Sequence, residues 1–455
     1  MSESSNASSK PGYWSFKANF RSLYEQNDGT FYLINGLRFF SFVWILVFHT
    51  LYIFGLLNGK EKFFEVTDNA PPYLWWIWNA DKAVDLFFVI SGFLISVILF
   101  KELDKSSDIK LKRFYFRRYL RLTPLYAVIV FLYWLSGAQN SEWVWTNILY
   151  INNFLPVDKM ALQWTWTLAV EEQFYLLLPV LLIGVYKSVG KPFVKIFLGL
   201  LALSFLIRVG VLYYYEELWN ASYRELLIDE VVAPIFYPKL YDNLITRYGP
   251  FVCGVLAAYG YCFHQQQIMN WLKAARFRIL GLNLLALATV AFFTFFPILH
   301  SQFEASSTAL KFYVVFHRTL FSAGIAWFML AVFMNLNHFT WLAKFFSLKI
   351  WQPFSQLTYS MYLIHFIVVL GLIKTVEVNL KAIEGIGETT LIWATIGLTS
   401  LLSLIFCIII GVLCWLLIEK PFLNMRDLFQ INRGATSSAP ISSAISNAAD
   451  ATKQS

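Results

Sequence analysis

Apolar residues in this chain gather into runs of roughly 20, separated by short stretches of polar and charged residues. Within a run such as LLSLIFCIIIGVLCWLLI, at 401–418, they cover every face rather than one stripe. A helix rising 1.5 Å per residue needs about 20 residues to cross about 30 Å of hydrocarbon. The runs therefore predict ten membrane-spanning helices, at 37–57, 83–100, 122–138, 164–186, 193–215, 248–263, 279–299, 312–334, 355–373 and 391–418. A membrane β-barrel would instead alternate apolar and polar residues over segments of about ten, which these runs do not do. The fold expected is an all-α polytopic membrane bundle. It has a tail at 1–36, a transmembrane domain over 37–423 and a tail at 424–455.

Composition strengthens this reading. The chain is 58% hydrophobic and 14% charged, where soluble domains carry about 25% charged residues. Ten spans put both termini on one side. Lys and Arg in the tails and in the loops after even-numbered spans outnumber those in the opposite loops by about two to one, so both termini are predicted to be cytoplasmic. The net charge of +8 follows from this topology; the basic residues form no soluble basic domain, and no nucleic-acid partner is expected. The 36 residues before the first run carry no signal-peptide pattern, so that run is expected to stay as an anchor. Cys253, Cys262, Cys407 and Cys414 lie in or beside apolar runs without metal-ligand companions, which reads as small buried hydrophobes and no metal. From Arg433 onward the tail is rich in Ala and Ser and lacks aromatics, a composition expected to be disordered.

Ionisable groups inside spans cost about 2.5–3.5 kcal/mol each on insertion scales, so each one present needs a reason. Arg38 and His49 are eleven residues apart. Eleven steps of about 100° bring them to the same face, about 16 Å apart along the axis. A histidine titrates near neutrality and can take a proton from a hydroxyl, while an arginine can hold a phosphate or a developing oxyanion. The bland alternative is a snorkelling Arg38 and a packed polar His49. Glu171 and Glu172 fall about two turns inside the fourth span, which has no basic residue of its own. Before the third span, KLKRFYFRRYLRLTP places Arg117, Arg118 and Arg121 at i, i+1 and i+4 beside the membrane. Such a cluster sets topology or touches anionic lipid; alternatively, its guanidinium forks bind a polyphosphate.

These segments, in this order, resemble the acyltransferase-3 family of membrane proteins. INGLRFFSFVWILVFHT resembles its first helix, with Arg38 and His49. VDLFFVISGFLIS resembles its second, with Asp85, Phe87, Phe88, Ser91 and Gly92. RRYLRLTPLY is similar to its Arg-Arg-x-x-Arg motif. WTLAVEEQFYLLLP is similar to a Trp-Ser-Leu segment, with Trp166, Thr167 in place of serine, Glu171 and Glu172. YSMYLIHF and IEKPF resemble the closing motifs, with Tyr359, Ser360, Tyr362, His365, Glu419 and Pro421. The resemblance implies a ten-helix core in a bacterial inner (plasma) membrane. It implies an acetyl-CoA or other acyl-coenzyme A donor taken from the cytoplasm, and a carbohydrate hydroxyl as acceptor, cell-surface or lipid-linked, as in lipopolysaccharide O-acetylation. Some relatives carry a fused extracytoplasmic hydrolase-like domain, whereas only a short tail is expected after the last span here. On this reading His49 is the general base, and Arg38 and Glu171 assist it, with Glu171 orienting a histidine or positioning the acceptor. Arg117, Arg118 and Arg121 hold the donor phosphates. Two rival classes stay open: a transporter or receptor-like protein using the same charged bundle, and an acyltransferase with a lipid or protein acceptor.

Overall fold

The computed structural model describes residues 14–25, 31–189, 194–303, 307–336 and 338–431. The expected disorder of the tail from Arg433 onward lies outside the described residues. Among those described there are helices and no strand. Ten long helices coincide with the ten apolar runs: α1 (Tyr32–Asn58), α2 (Asp81–Ser106), α3 (Leu111–Leu135), α4 (Trp166–Val189), α5 (Val194–Tyr214), α6 (Leu244–Phe263), α7 (Arg276–Phe295), α8 (Thr308–Phe333), α9 (Trp351–Lys381) and α10 (Glu388–Cys414). Eight of them are long and apolar enough to cross a membrane. The exceptions are α3 and α6.

Both exceptions have a physical reason. The basic run 112–121 belongs to α3 itself, which continues through Pro124 to Leu135. The predicted start at 122 is corrected to 111, because a helix does not end where its side chains become charged. In α6 the apolar average is lowered by Arg247 and small residues, but most of its residues face protein and not lipid. It packs on α2, α5 and α8, while α9 packs on α1 and α10. In the most apolar windows, 83% of α2 and 72% of α8 are buried, against 11% of α7. The centre of the bundle is therefore α2, α6 and α8, and α7 presents Phe277, Leu285 and Phe292 outward.

Close approach of α2 and α6 is made by glycine. A Cβ on Gly92 would run into the carbonyl oxygen of Phe251, and one on Gly254 into that of Val89. Small residues let two membrane helices meet backbone to backbone. Gly92 thus serves packing, and holds in place the helix that carries Ser91.

Candidate active site

A cavity of about 540 Å³ opens among α1, α2, α3, α4 and α9. Its basic end is lined by Arg38, Arg118, Arg121 and Lys420, and its inner end by Ile45, Thr167, Leu168 and Tyr362. Ile45 stands one turn before His49 on the same face of α1. From the basic end, α1 therefore runs past Arg38 and Ile45 to the half-buried His49.

His49 is joined to His365 of α9. The His49 Nδ1 to His365 Nε2 distance is 2.7 Å, and the two rings lie nearly parallel with centroids 4.9 Å apart. His365 Nδ1 lies 2.5 Å from the carbonyl oxygen of Tyr362. A carbonyl can only accept, so in the neutral pair the proton is on His365 Nδ1 and Nε2 is an acceptor. His49 Nδ1–H then donates to it. This leaves the lone pair of His49 on Nε2, the form a general base requires. Tyr362 is itself fixed: its hydroxyl donates to the carbonyl of Trp164 at 2.6 Å and accepts from Thr167 Oγ1 at 2.7 Å. Threonine in place of the motif's serine supplies that same hydroxyl.

Glu171 lines the cavity, and its carboxylate accepts hydrogen bonds from the hydroxyls of Ser91 and Tyr175. It also attracts Arg38 across the space. Among the described residues these hydroxyls, and not a histidine, are its hydrogen-bond partners, and His49 pairs with His365 instead. Glu172, about 100° further round α4, does not line the cavity. Its Oε1 has no hydrogen-bond partner among the described residues.

The arginine motif divides the same way. Arg118 and Arg121 are three residues apart on one face of α3 and line the cavity; Arg117 does not. The Arg118 guanidinium stacks 3.6 Å from the ring centroid of Tyr175, which leaves its edges free to bind an anion. Lys420 is a fourth basic group, and sequence reasoning passed over it; the IEKPF motif that holds it was the available signal. Among the described residues no cluster fit to hold a metal ion is present.

Asp85 and Trp166 are not in this wall. Asp85 belongs to a buried ion cluster with Arg247 at 3.4 Å and Arg318 at 3.5 Å. Trp166 lies 5.0 Å from the Arg247 guanidinium. Asp81, Lys82, Arg247, His317 and Arg318 were not singled out from sequence, although FHRT inside an apolar run was a usable sign.

The sequence profile described as an acyltransferase domain matches residues 31–419. The chain belongs to this acyltransferase-3 family. Among curated proteins, it is 30% identical over 267 residues to nose resistant to fluoxetine protein 6 of Caenorhabditis elegans, which is 52% of this chain and 32% of that one. It is 26% identical over 360 residues to a protein assigned by name as an O-acetyltransferase in Staphylococcus aureus (strain COL), 74% of this chain and 50% of that one. To the peptidoglycan O-acetyltransferase of Listeria monocytogenes it is 35% identical over 153 residues, 28% of this chain and 24% of that one. The chain thus spans half or less of the length of these relatives. No solved structure matches it.

Proposed function

We propose that this protein is a membrane O-acyltransferase moving an acetyl or other short acyl group from acyl-coenzyme A to a hydroxyl of a cell-surface or lipid-linked carbohydrate. The observation that carries this reading is the chain of hydrogen bonds from the Tyr362 carbonyl, on a residue lining the inner end of a cavity whose other end is basic, through His365 to His49, one turn beyond the cavity-lining Ile45. Relatives named as O-acetyltransferases in two bacteria support it, and the name of one specifies peptidoglycan, a glycan. The membrane in this reading is the bacterial plasma membrane, with the basic end cytoplasmic as the distribution of Lys and Arg suggests.

Arg118, Arg121 and Lys420 hold the donor phosphates at the cavity mouth, and the acyl-bearing arm runs past Arg38 toward His49. His49 Nε2 takes the proton of the acceptor hydroxyl as its oxygen attacks the thioester carbonyl. Arg38 balances the developing oxyanion. The carbon–sulfur bond then breaks, and the thiolate leaves with the proton returned from His49, so charge and protons balance without an acyl-enzyme. Through His49 Nδ1–H, His365 stabilises the transient imidazolium. Comparing the mass of cell-surface glycans with and without the gene tests the reading. Loss of O-linked acyl groups is expected, and an unchanged glycan profile with altered lipid or protein acylation would overturn it.

A further inference from the structure

The cavity assigned to acyl transfer changes character along its length. On α2 it is lined by Ser91, which donates to the Glu171 carboxylate. Toward the start of α2 the next lining residues are Phe88, Phe87 and Val84, the last of them about 10 Å along the helix axis from Ser91. Leu168, one turn before Glu171 on α4, and Ile45, two turns after Arg38 on α1, complete this end of the wall. All five side chains are apolar and none is exposed. The two hydroxyls beside them are already engaged, Thr167 with Tyr362 and Tyr362 with the Trp164 carbonyl. The charged Asp85 and Arg247, each 0% exposed, are not in the wall.

This lining suits one part of the donor. A carbohydrate needs hydrogen-bond partners for its hydroxyls and a charged acyl group needs a counter-ion, and burying either without them is costly. A hydrocarbon chain needs neither. The wall is also held in place. The Phe88 ring stacks on Phe251 with centroids 4.3 Å apart, Phe251 stacks on Phe174 at 4.1 Å, and Gly92 keeps α2 against the Phe251 backbone. From Phe88 to Val84 the apolar strip covers about 6 Å of helix axis, more than the single methyl of an acetyl group occupies. His49 and His365 stand on α1 and α9, so an acyl chain whose carbonyl meets His49 can extend toward α2.

We propose that the apolar end of the cavity is an acyl pocket for an uncharged group longer than acetyl, and that Val84, the last residue of α2 in the wall, limits its length. The inference rests on the acyl-transfer reading and names the donor class within it. Butyryl-type thioesters are preferred to acetyl, and to dicarboxylic ones such as succinyl.

The test has two readouts. With purified full-length protein in nanodiscs, S-ethyl- and S-butyl-coenzyme A, thioethers that cannot react, compete with radioactive coenzyme A for binding. In native membranes with and without the gene, thiol release is followed from acetyl-, butyryl- and succinyl-coenzyme A. A buried methylene contributes about fourfold in affinity, the equivalent of about 0.8 kcal/mol, so S-butyl should bind about 15-fold more tightly than S-ethyl. Butyryl should be the best gene-dependent donor and succinyl the poorest. Val84→Phe fills the pocket and should remove the preference for S-butyl. If Val84→Phe does not accumulate, Val84→Ala should move the preference to a longer chain, S-hexyl over S-butyl. Equal binding of S-ethyl and S-butyl by the wild-type protein, or acetyl as the best donor, would overturn the proposal. Gene-dependent release from none of the thioesters, with the S-butyl preference intact, would count against the acyl-transfer reading and not against the pocket.

Discussion

Replacing His365 with leucine separates the proton relay from simple occupancy of the cavity, because His365 is buried and is not in the cavity wall. In the wild-type protein His365 Nε2 is the acceptor for His49 Nδ1–H. Leucine fills similar volume but accepts nothing. The Nδ1–H would then be buried without a partner, at a cost of about 1–3 kcal/mol. His49 can escape that cost by moving its proton to Nε2, the tautomer that cannot act as base. The imidazolium formed during reaction also loses a charge-assisted hydrogen bond of about 1.5–3 kcal/mol. Together these predict a fall in kcat of about 10²–10⁴-fold, since each decade corresponds to about 1.4 kcal/mol. Donor KM should change by less than about threefold, because the arginines at the other end of the cavity are untouched. Free-thiol release from acyl-coenzyme A at saturating acceptor measures both constants, with protein in the membrane quantified alongside. His365→Gln can offer an amide oxygen to Nδ1–H and should recover most of the loss. A leucine variant with near-normal kcat would refute the reasoning, as would one whose defect lies in donor KM.

His49→Ala should abolish transfer while the protein still inserts and accumulates, which immunodetection in membranes alongside the thiol assay will show. Glu171→Gln should lower activity more than Glu172→Gln, since only Glu171 accepts from Ser91 and Tyr175 in the cavity; equal, near-normal rates in both would contradict this. Arg118→Lys and Arg121→Lys should each raise donor KM by about tenfold, roughly 1.4 kcal/mol, while Arg117→Lys should leave donor titrations unchanged. Gly92→Ala should destabilise the bundle by about 1–3 kcal/mol, as overpacking does, because its Cβ meets the Phe251 backbone. Its melting curve checks this.

What sequence could and could not reveal follows from the range of each interaction. Spans α1, α2 and α10 are legible because hydrocarbon demands unbroken apolar length. The true start of α3 is not, since charged residues are as helical as apolar ones where the helix leaves the lipid. Arg38 and His49 share a face by local geometry alone. That His49 finds His365, 316 residues away, depends on α9 packing against α1, and no periodicity encodes that. The same distance in sequence hid the partners of Asp85, which lie on α6 and α8. The motif containing Arg117, Arg118 and Arg121 was legible as a unit, but its division into cavity and non-cavity residues needed the placement of α4 and Tyr175 beside it.

The most direct measurement uses acyl-coenzyme A labelled in the acyl group, given to the purified protein in nanodiscs with a glycan acceptor. Transfer of label to the glycan through an ester bond, equimolar with thiol release and lost in His49→Ala, is the result predicted. Thiol release without glycan label, or label transfer unchanged in His49→Ala, would contradict the account.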